Sequence, residues 1–438
     1  MKRKLMVMVL LFVMLGTALF AGAQAEAEEA GSDYALTVWK FGGVRIEKAF
    51  AVKQVAAWNE QHPDMKVEWI EYDWGSRIEK VVTALEAGRL PDIIVVDTQG
   101  IPDFANMGAI QAISDLDPAI VEKWEGRIVP EVMELGYYDG DFYGFSTYVD
   151  MATFLGYNID MVRKAGLVDA QGDATAPETW SELIDYAKKL DSSGYPAILL
   201  SATNNVCDIN MLEGIAYANG GRWLAPDGSV AVNGPGFTDA LKLYKDLYEF
   251  ALPGALESNY RDSAVQFFNK QAAMYPALSW IGVFNTELQM PSDFAYRMAT
   301  FPTPDKVTGK YAPVSSLMTG TFCPLITTNC KNTDAALAFI DYWTEDQNLL
   351  AWNGSVQFGR VPSGIVCWET DGIDQYWPDL KKAYLAGDLF KNVQPMPAFA
   401  GLTSGQSYLA EALQKVLLDV ATPQEALDEV AKKLSAEL

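Results

Sequence analysis

Histidine occurs once in the 438 residues, and cysteine only four times, at Cys207, Cys323, Cys330 and Cys367. No CxxC pair occurs, and the one histidine stands in NEQHPD ahead of a proline. A metal centre therefore lacks a ligand set, no cofactor is expected, and His62 reads as a solvated turn residue at a helix end. Bases are also scarce: 33 Lys and Arg against 57 Asp and Glu give a formal charge of −24. Such a balance argues against a nucleic-acid partner, whose phosphates need clustered cations, and fits a soluble, self-repelling protein. Repeats, coiled-coil heptads and low-complexity tracts are missing, apart from an acidic, Ala-rich stretch over 25–30. Four cysteines allow three pairings. Cys323 and Cys330 lie seven residues apart in an expected strand, roughly 20 Å, too far to bond without a sharp bend at Pro324.

What is present begins with an export signal. Lys2, Arg3 and Lys4 precede an apolar run from Leu5 to Leu15 and the small residues Ala21-Gly22-Ala23. This is the pattern of a secretory signal peptide, expected over 1–25 and removed on maturation. No acidic residue precedes Glu26, so loss of three positive charges takes −24 to −27. Because the first cysteine is Cys207, no thiol is available for a lipid anchor, and a free periplasmic protein is expected. The remaining length suits two domains of roughly 200 residues.

Ala35 to Trp39 reads as a first strand broken by Phe41-Gly42-Gly43. A helix follows with Ala49, Val52, Val55 and Ala56 spaced for one buried face. Val67 and Trp69 alternate in a second strand that ends at Asp73-Trp74. Ile78, Val81, Val82 and Leu85 mark a second helix stopped by Gly88. Ile93 to Val96 is a strand buried on both faces. Strand, helix, strand, helix, strand predicts a parallel sheet, with a ligand crevice beyond the carboxyl ends of its strands. Later, Thr179 and Glu182 have capping-box spacing. Tyr195 to Leu200 reads as a strand followed by the polar loop Ser201 to Asn205.

The chain turns on the stretch from Tyr138 to Asn158, YDGDFYGFSTYVDMATFLGYN. Asp139-Gly140 signals a turn, and aromatic and β-branched residues then predict extended chain crossing between lobes. This stretch, with GRLPDIIVVD ending at Asp97 and KQAAMYPALSW ending at Trp280, resembles the extracellular solute-binding proteins of family 1, the maltose-binding type that serves sugar ABC transporters. The resemblance extends over the whole mature chain and implies an α/β, type II periplasmic-binding-protein fold, each lobe a mainly parallel sheet flanked by helices. It implies an N-terminal lobe of 33–145 and part of 285–330, a C-terminal lobe of 151–280 and most of 331–438, and crossovers near 143–152 and 311–322, with Gly320 as a pivot. It also implies no catalysis, a monomer, a sugar ligand and a membrane permease as partner.

A sugar pocket needs planar acceptors for hydroxyls and aromatic rings against the C–H face. The expected ligand-binding residues are Phe41, Gly42, Trp74, Asp97, Thr98, Gln99, Tyr148, Asp150, Asn205, Asp208, Trp280, Gly320 and Arg360. Cations near these loops are few, essentially Arg45 and Arg360, which favours an uncharged carbohydrate over an anion. Two other readings remain open at this point. Asp73, Asp97 and Asp150 could serve a secreted glycoside hydrolase as acid and base, and the acidic surface could attract a cationic solute such as a polyamine.

Overall fold

The structure is a computed structural model that describes residues 34–279, 294–355, 360–371, 373, 378–399 and 401–438. The export signal expected over 1–25 and the position of Trp280 lie outside them. Strand β1 (Leu36–Phe41), helix α1 (Arg45–Gln61), strand β2 (Val67–Tyr72), helix α2 (Arg77–Glu86) and strand β3 (Ile93–Val96) succeed one another without a break in the pattern. β1 lies between β2 and β3 and runs parallel to both, as two βαβ units require. All four side chains of β3 are buried, which explains its unbroken Ile-Ile-Val-Val sequence.

The buried face of α1 is not the one expected. Glu47, Ala51, Val55 and Trp58 point inward, while Val52 is 55% exposed. A carboxylate opens the buried stripe, and apolar spacing alone places the face one position away. His62 does end this helix, with its ring stacked 3.6 Å from Trp58. Further on, Asp139 and Gly140 both take positive φ, 52° and 93°. They turn the hairpin between Tyr137–Tyr138 and Asp141–Phe142, where a two-residue loop needs left-handed positions.

The fully buried strands β4 (Tyr148–Met151) and β5 (Phe154–Asn158) follow. Beyond them come helix α3 (Trp180–Ser192), whose first turn donates Glu182 N–H to the Thr179 hydroxyl, helix α4 (Val206–Ala218), helix α5 (Tyr260–Phe268), and strands β6 (Met274–Ala277) and β7 (Tyr296–Thr300). β6 and β7 flank β5, and both run antiparallel to it. The second sheet thus departs from the mainly parallel arrangement expected. β6 and β7 both finish beside the crossover from which β5 starts: Ser279 N–H donates to Met151 O at 3.0 Å and Phe301 N–H to Thr153 O at 2.8 Å. The segment expected as a strand at 195–200 runs beside β6 through a single bridge, Ile198 to Met274.

Strand β8 (Leu317–Gly320) returns the chain to strand β9 (Cys323–Ile326) on the free edge of β3, antiparallel to it. Helix α6 (Thr333–Trp343), strand β10 (Val361–Pro362), strand β11 (Gln394–Pro395) and helices α7 (Leu402–Leu417) and α8 (Pro423–Ser435) are among the elements that follow. Between the two lobes stands a sheet in the order β10-β4-β8-β11. Three of its strands join the cores. Tyr148 and Val149 pack in the first core and Leu155 in the second; Phe322 packs in the first and Leu317 in the second; Phe390 packs in the first and Met396 in the second. The crossing at β11 is too short to leave a periodic signal.

Core membership also revises the lobe boundaries. Residues of 335–390 pack with Trp58 and β1, not with the second core, and Trp343 and Trp352 lie tilted against Phe322 at 5.2 and 5.0 Å. β7, within the stretch expected in the first lobe, belongs to the second sheet. We propose a first lobe of 34–151 and 318–393 and a second of 152–317 and 394–438. All four cysteines are free. Among the described residues, no helix is long and apolar enough to cross a membrane.

Candidate functional site

The three parallel strands of the first lobe end on one edge, and the loops that follow them form one wall of a cleft of about 1290 Å³, part of it open to solvent. After β1, Gly42 and Gly43 take φ of +72° and +92°, a conformation that side chains resist. A Cβ on Gly42 would stand 3.0 Å from Cε3 of Trp74. The glycine lets the next loop's indole lie against the backbone. Arg77, in the first turn of α2, sits over the Trp74 ring at 4.2 Å, and its Nη1 donates to Trp74 O at 3.2 Å. After β3, Asp97 caps the next turn by accepting Gly100 N–H at 3.0 Å. Burial pushes its carboxyl up from the ordinary value, and Arg77 pulls it back. Gln99 also faces the cleft, and its amide donates to Pro397 O, just beyond β11, at 3.2 Å.

The floor is the crossover. Arg360 donates through Nε to Glu47 Oε1 at 2.6 Å and through Nη1 to both Asp150 oxygens at 2.7 Å. Its guanidinium lies 4.6 Å over the Tyr148 ring. All four groups are buried, Glu47 to 2% exposure. Burial would raise Glu47, but Arg360 and the Val44 N–H hold it below its ordinary range. Burial pushes Asp150 up, with Arg360 opposing. Close by, burial lowers Lys40 to about 8 despite Glu47. Two acids and two bases thus offset one another beneath the cleft.

The opposite wall comes from the second lobe, through Cys207 and Asn210 on α4, Tyr260 and Arg261 at the start of α5, and Leu278. Of the expected residues, Phe41, Gly42, Trp74, Asp97, Gln99, Tyr148, Asp150 and Arg360 line the cleft together. Of the others, Trp280 lies outside the described residues, and the remaining four are engaged elsewhere. Thr98 accepts Gly320 N–H at 3.0 Å, locking β8 to the first lobe. Gly320 leaves no room for a side chain, since a Cβ would stand 2.2 Å from Ser146 Oγ; it fills a packing role. Asn205 caps α4 by accepting Cys207 N–H at 2.9 Å. Asp208 turns into a small chamber behind the cleft with Tyr244 and Tyr275. Its carboxylate accepts Thr203 N–H and Oγ1–H on one oxygen and Tyr260 N–H on the other, and burial lifts it to about 6.

Sequence reading missed Arg77, Asn210, Tyr260, Arg261 and the buried Glu47. Signals existed for two of them. Arg77 follows Trp74 by one helical turn, and Cys207 and Asn210, three apart on α4, share the cleft face while Asp208 between them turns away. The assumption that cations are few near the cleft is also corrected: Lys48, Arg77, Arg261 and Arg360 all line it, and Arg45 is exposed outside it.

Comparison with known proteins follows the same outline. The sn-glycerol-3-phosphate-binding periplasmic protein UgpB of Escherichia coli is 24% identical over 440 residues, covering 96% of this chain and 94% of that protein. A solute-binding protein of an ABC transporter from Thermotoga lettingae, bound with α-D-tagatose, superposes with a TM-score of 0.74 at 24% identity over 92% of this chain and 99% of that one. Maltose-bound MalE3 of T. maritima gives 0.74 at 21% identity, over 92% of this chain and 100% of that one. These likenesses show the two-lobe fold. The model of the bacterial extracellular solute-binding proteins, transport components rather than enzymes, matches residues 43–349. By that match the chain belongs to the bacterial extracellular solute-binding protein family.

Proposed function

We propose that this protein is the periplasmic receptor of an ABC transporter for a sugar or polyol, exported by its N-terminal signal and acting as a monomer that delivers its ligand to a membrane permease. One observation carries the reading: the cleft lies at the carboxyl ends of parallel strands and draws its walls from both cores, with three crossing strands at its floor. A ligand held by both walls favours the closed arrangement by its extra contacts there. Trp74, Asp97 and Gln99 on one wall and Asn210 and Tyr260 on the other supply a ring face, planar acceptors and donors for hydroxyls. Ligands named for the similar structures, tagatose and maltose, support the same class.

The hydrolase alternative loses its acid and base. Both oxygens of Asp150 accept from Arg360, and Asp73 and Asp97 each cap a turn by accepting Gly75 N–H and Gly100 N–H. A cation receptor is disfavoured by the four bases on the cleft wall. The test is thermal unfolding across mono- and disaccharides and polyols, followed by chromatography of the recovered compound. A ligand at a hundred times its Kd stabilises by about 2.7 kcal/mol. Recovery of the compound intact supports a receptor; cleavage, or no response to any carbohydrate or polyol, overturns it.

A further inference from the structure

The chain as a whole carries 57 acids against 33 bases, yet in the cleft the bases are one ahead, with Lys48, Arg77, Arg261 and Arg360 facing Asp73, Asp97 and Asp150. Most of these charges have been assigned partners. Arg360 is satisfied by Asp150 and Glu47, and Lys48 lies 3.8 Å from Glu71. Arg77 is different. No carboxylate oxygen of the described residues lies within the 4.0 Å of an ion pair to it. Asp97 is near enough for its charge to be felt, but one of its oxygens is bound to Gly100 N–H.

The guanidinium is nevertheless held in place. It rests over the Trp74 ring, and that ring in turn rests against Gly42, where a Cβ would stand 3.0 Å from Cε3. A guanidinium placed over an aromatic face keeps the N–H donors in its own plane for another partner, in the fork geometry that matches carboxylate and phosphate. Arg261 brings a second positive charge from the opposite wall. When the cleft closes and water leaves, a neutral hydroxyl accepting from Arg77 would leave the charge uncompensated.

We propose that Arg77 is the specificity-determining residue of this cleft, and that the ligand is a sugar or polyol bearing an anionic group, a carboxylate or a phosphate, that accepts from the Arg77 guanidinium. This rests on the receptor reading above and narrows it. Trp74 then acts chiefly as the bed that orients Arg77.

The test is calorimetric titration of the full mature chain with matched probes: D-glucose and D-galactose as neutral parents, D-glucuronate and D-galacturonate as carboxylates, and D-glucose 6-phosphate as a phosphate. An acid should bind about tenfold or more tightly than its neutral parent, the weight of one charge-assisted hydrogen bond. That advantage should shrink between about 0.01 M and about 1 M salt, as the Debye length falls from about 30 to about 3 Å. Whichever acid wins, uronate or phosphate, identifies the group. Arg77→Gln should cost the acid at least about tenfold more affinity than it costs the neutral parent, and Arg77→Lys should restore part of that difference. Neutral parents that bind as tightly as their acids, or equal losses for both in Arg77→Gln, would overturn the inference and leave the receptor reading intact. Silence from every acid, with a neutral carbohydrate or polyol responding in the thermal screen above, would overturn the inference alone; silence there as well would overturn both.

Discussion

Replacing Arg360 with methionine puts a number on the buried charge cluster. The substitution keeps most of the volume and removes the one group that serves Glu47 and Asp150 together, at 2.6 and 2.7 Å. Glu47, 2% exposed, then keeps the Val44 N–H and Lys40, itself lowered to about 8, while Asp150, 7% exposed, loses the guanidinium that both its oxygens accept from. Breaking a buried ion pair from one side costs about 3–5 kcal/mol. A unit of about 200 residues unfolds with an entropy near 0.4 kcal/mol/K, so about 4 kcal/mol lowers Tm by about 10 °C. The pH dependence supplies a sign as well as a size. With Arg360 present, Glu47 sits below its ordinary range, so its share of stability is present above the unfolded pKa and is lost as pH falls through the folded one. Without Arg360, burial acts unopposed by the guanidinium and raises both carboxyls above their unfolded values. The variant's stability then declines as pH rises from about 5 to about 8. Adding Glu47→Gln and Asp150→Asn removes the orphaned charges and should recover most of the loss, because buried ion clusters are often replaceable by neutral groups. The assay is thermal and urea unfolding by circular dichroism at both pH values. A loss under about 1 kcal/mol, no pH slope, or a triple variant as unstable as the single one would refute the reasoning.

Three further outcomes are expected. Glu213 is fully buried, accepts from Trp223 Nε1 at 2.8 Å and Gln406 Nε2 at 3.0 Å, and is lifted by burial to about 7. A folded pKa above the unfolded one means stability that is complete below about 4.5 and lost as pH rises through about 7, roughly 3 kcal/mol in all; Glu213→Gln should abolish that slope in denaturant titrations. Gly320→Ala forces a Cβ to within 2.2 Å of Ser146 Oγ and should cost about 1–3 kcal/mol in urea unfolding, with partial recovery when Ser146→Gly is added. Trp74→Ala should weaken ligand binding about tenfold or more in titration, through both the lost ring and the loosened Arg77, while Tm of the free protein moves by less than about 2 °C, since Trp74 is only partly buried.

The first sheet was readable because β1 to β3 alternate with helices at βαβ spacing and because β3 is an unbroken apolar run. Thr179 revealed a helix start through a local rule that needs no tertiary information. Tertiary pairing was not readable. Arg360 meets Glu47 across 313 residues, and nothing local to either distinguishes a buried partner from a solvated charge. Glu47 misled the assignment of the buried face of α1, since spacing rules treat a carboxylate as outward. In the second lobe the sequence shows extended segments but not their directions, and β6 and β7 proved antiparallel to β5. The loop residues Thr98, Asn205 and Asp208 were placed near the crevice by topology. Their side chains instead serve backbone N–H groups there, a common use of short polar residues at strand and helix ends.

The three crossing strands also set the mechanics of the two lobes. One connecting backbone would let them swivel about any axis, and two would still allow a twist. Three strands held side by side by hydrogen bonds in one sheet resist swivel and twist alike, much as a door on a continuous hinge can only swing. The sheet leaves flexing across its own plane as the soft direction, so whatever enters the cleft can report its presence outside through a single angle.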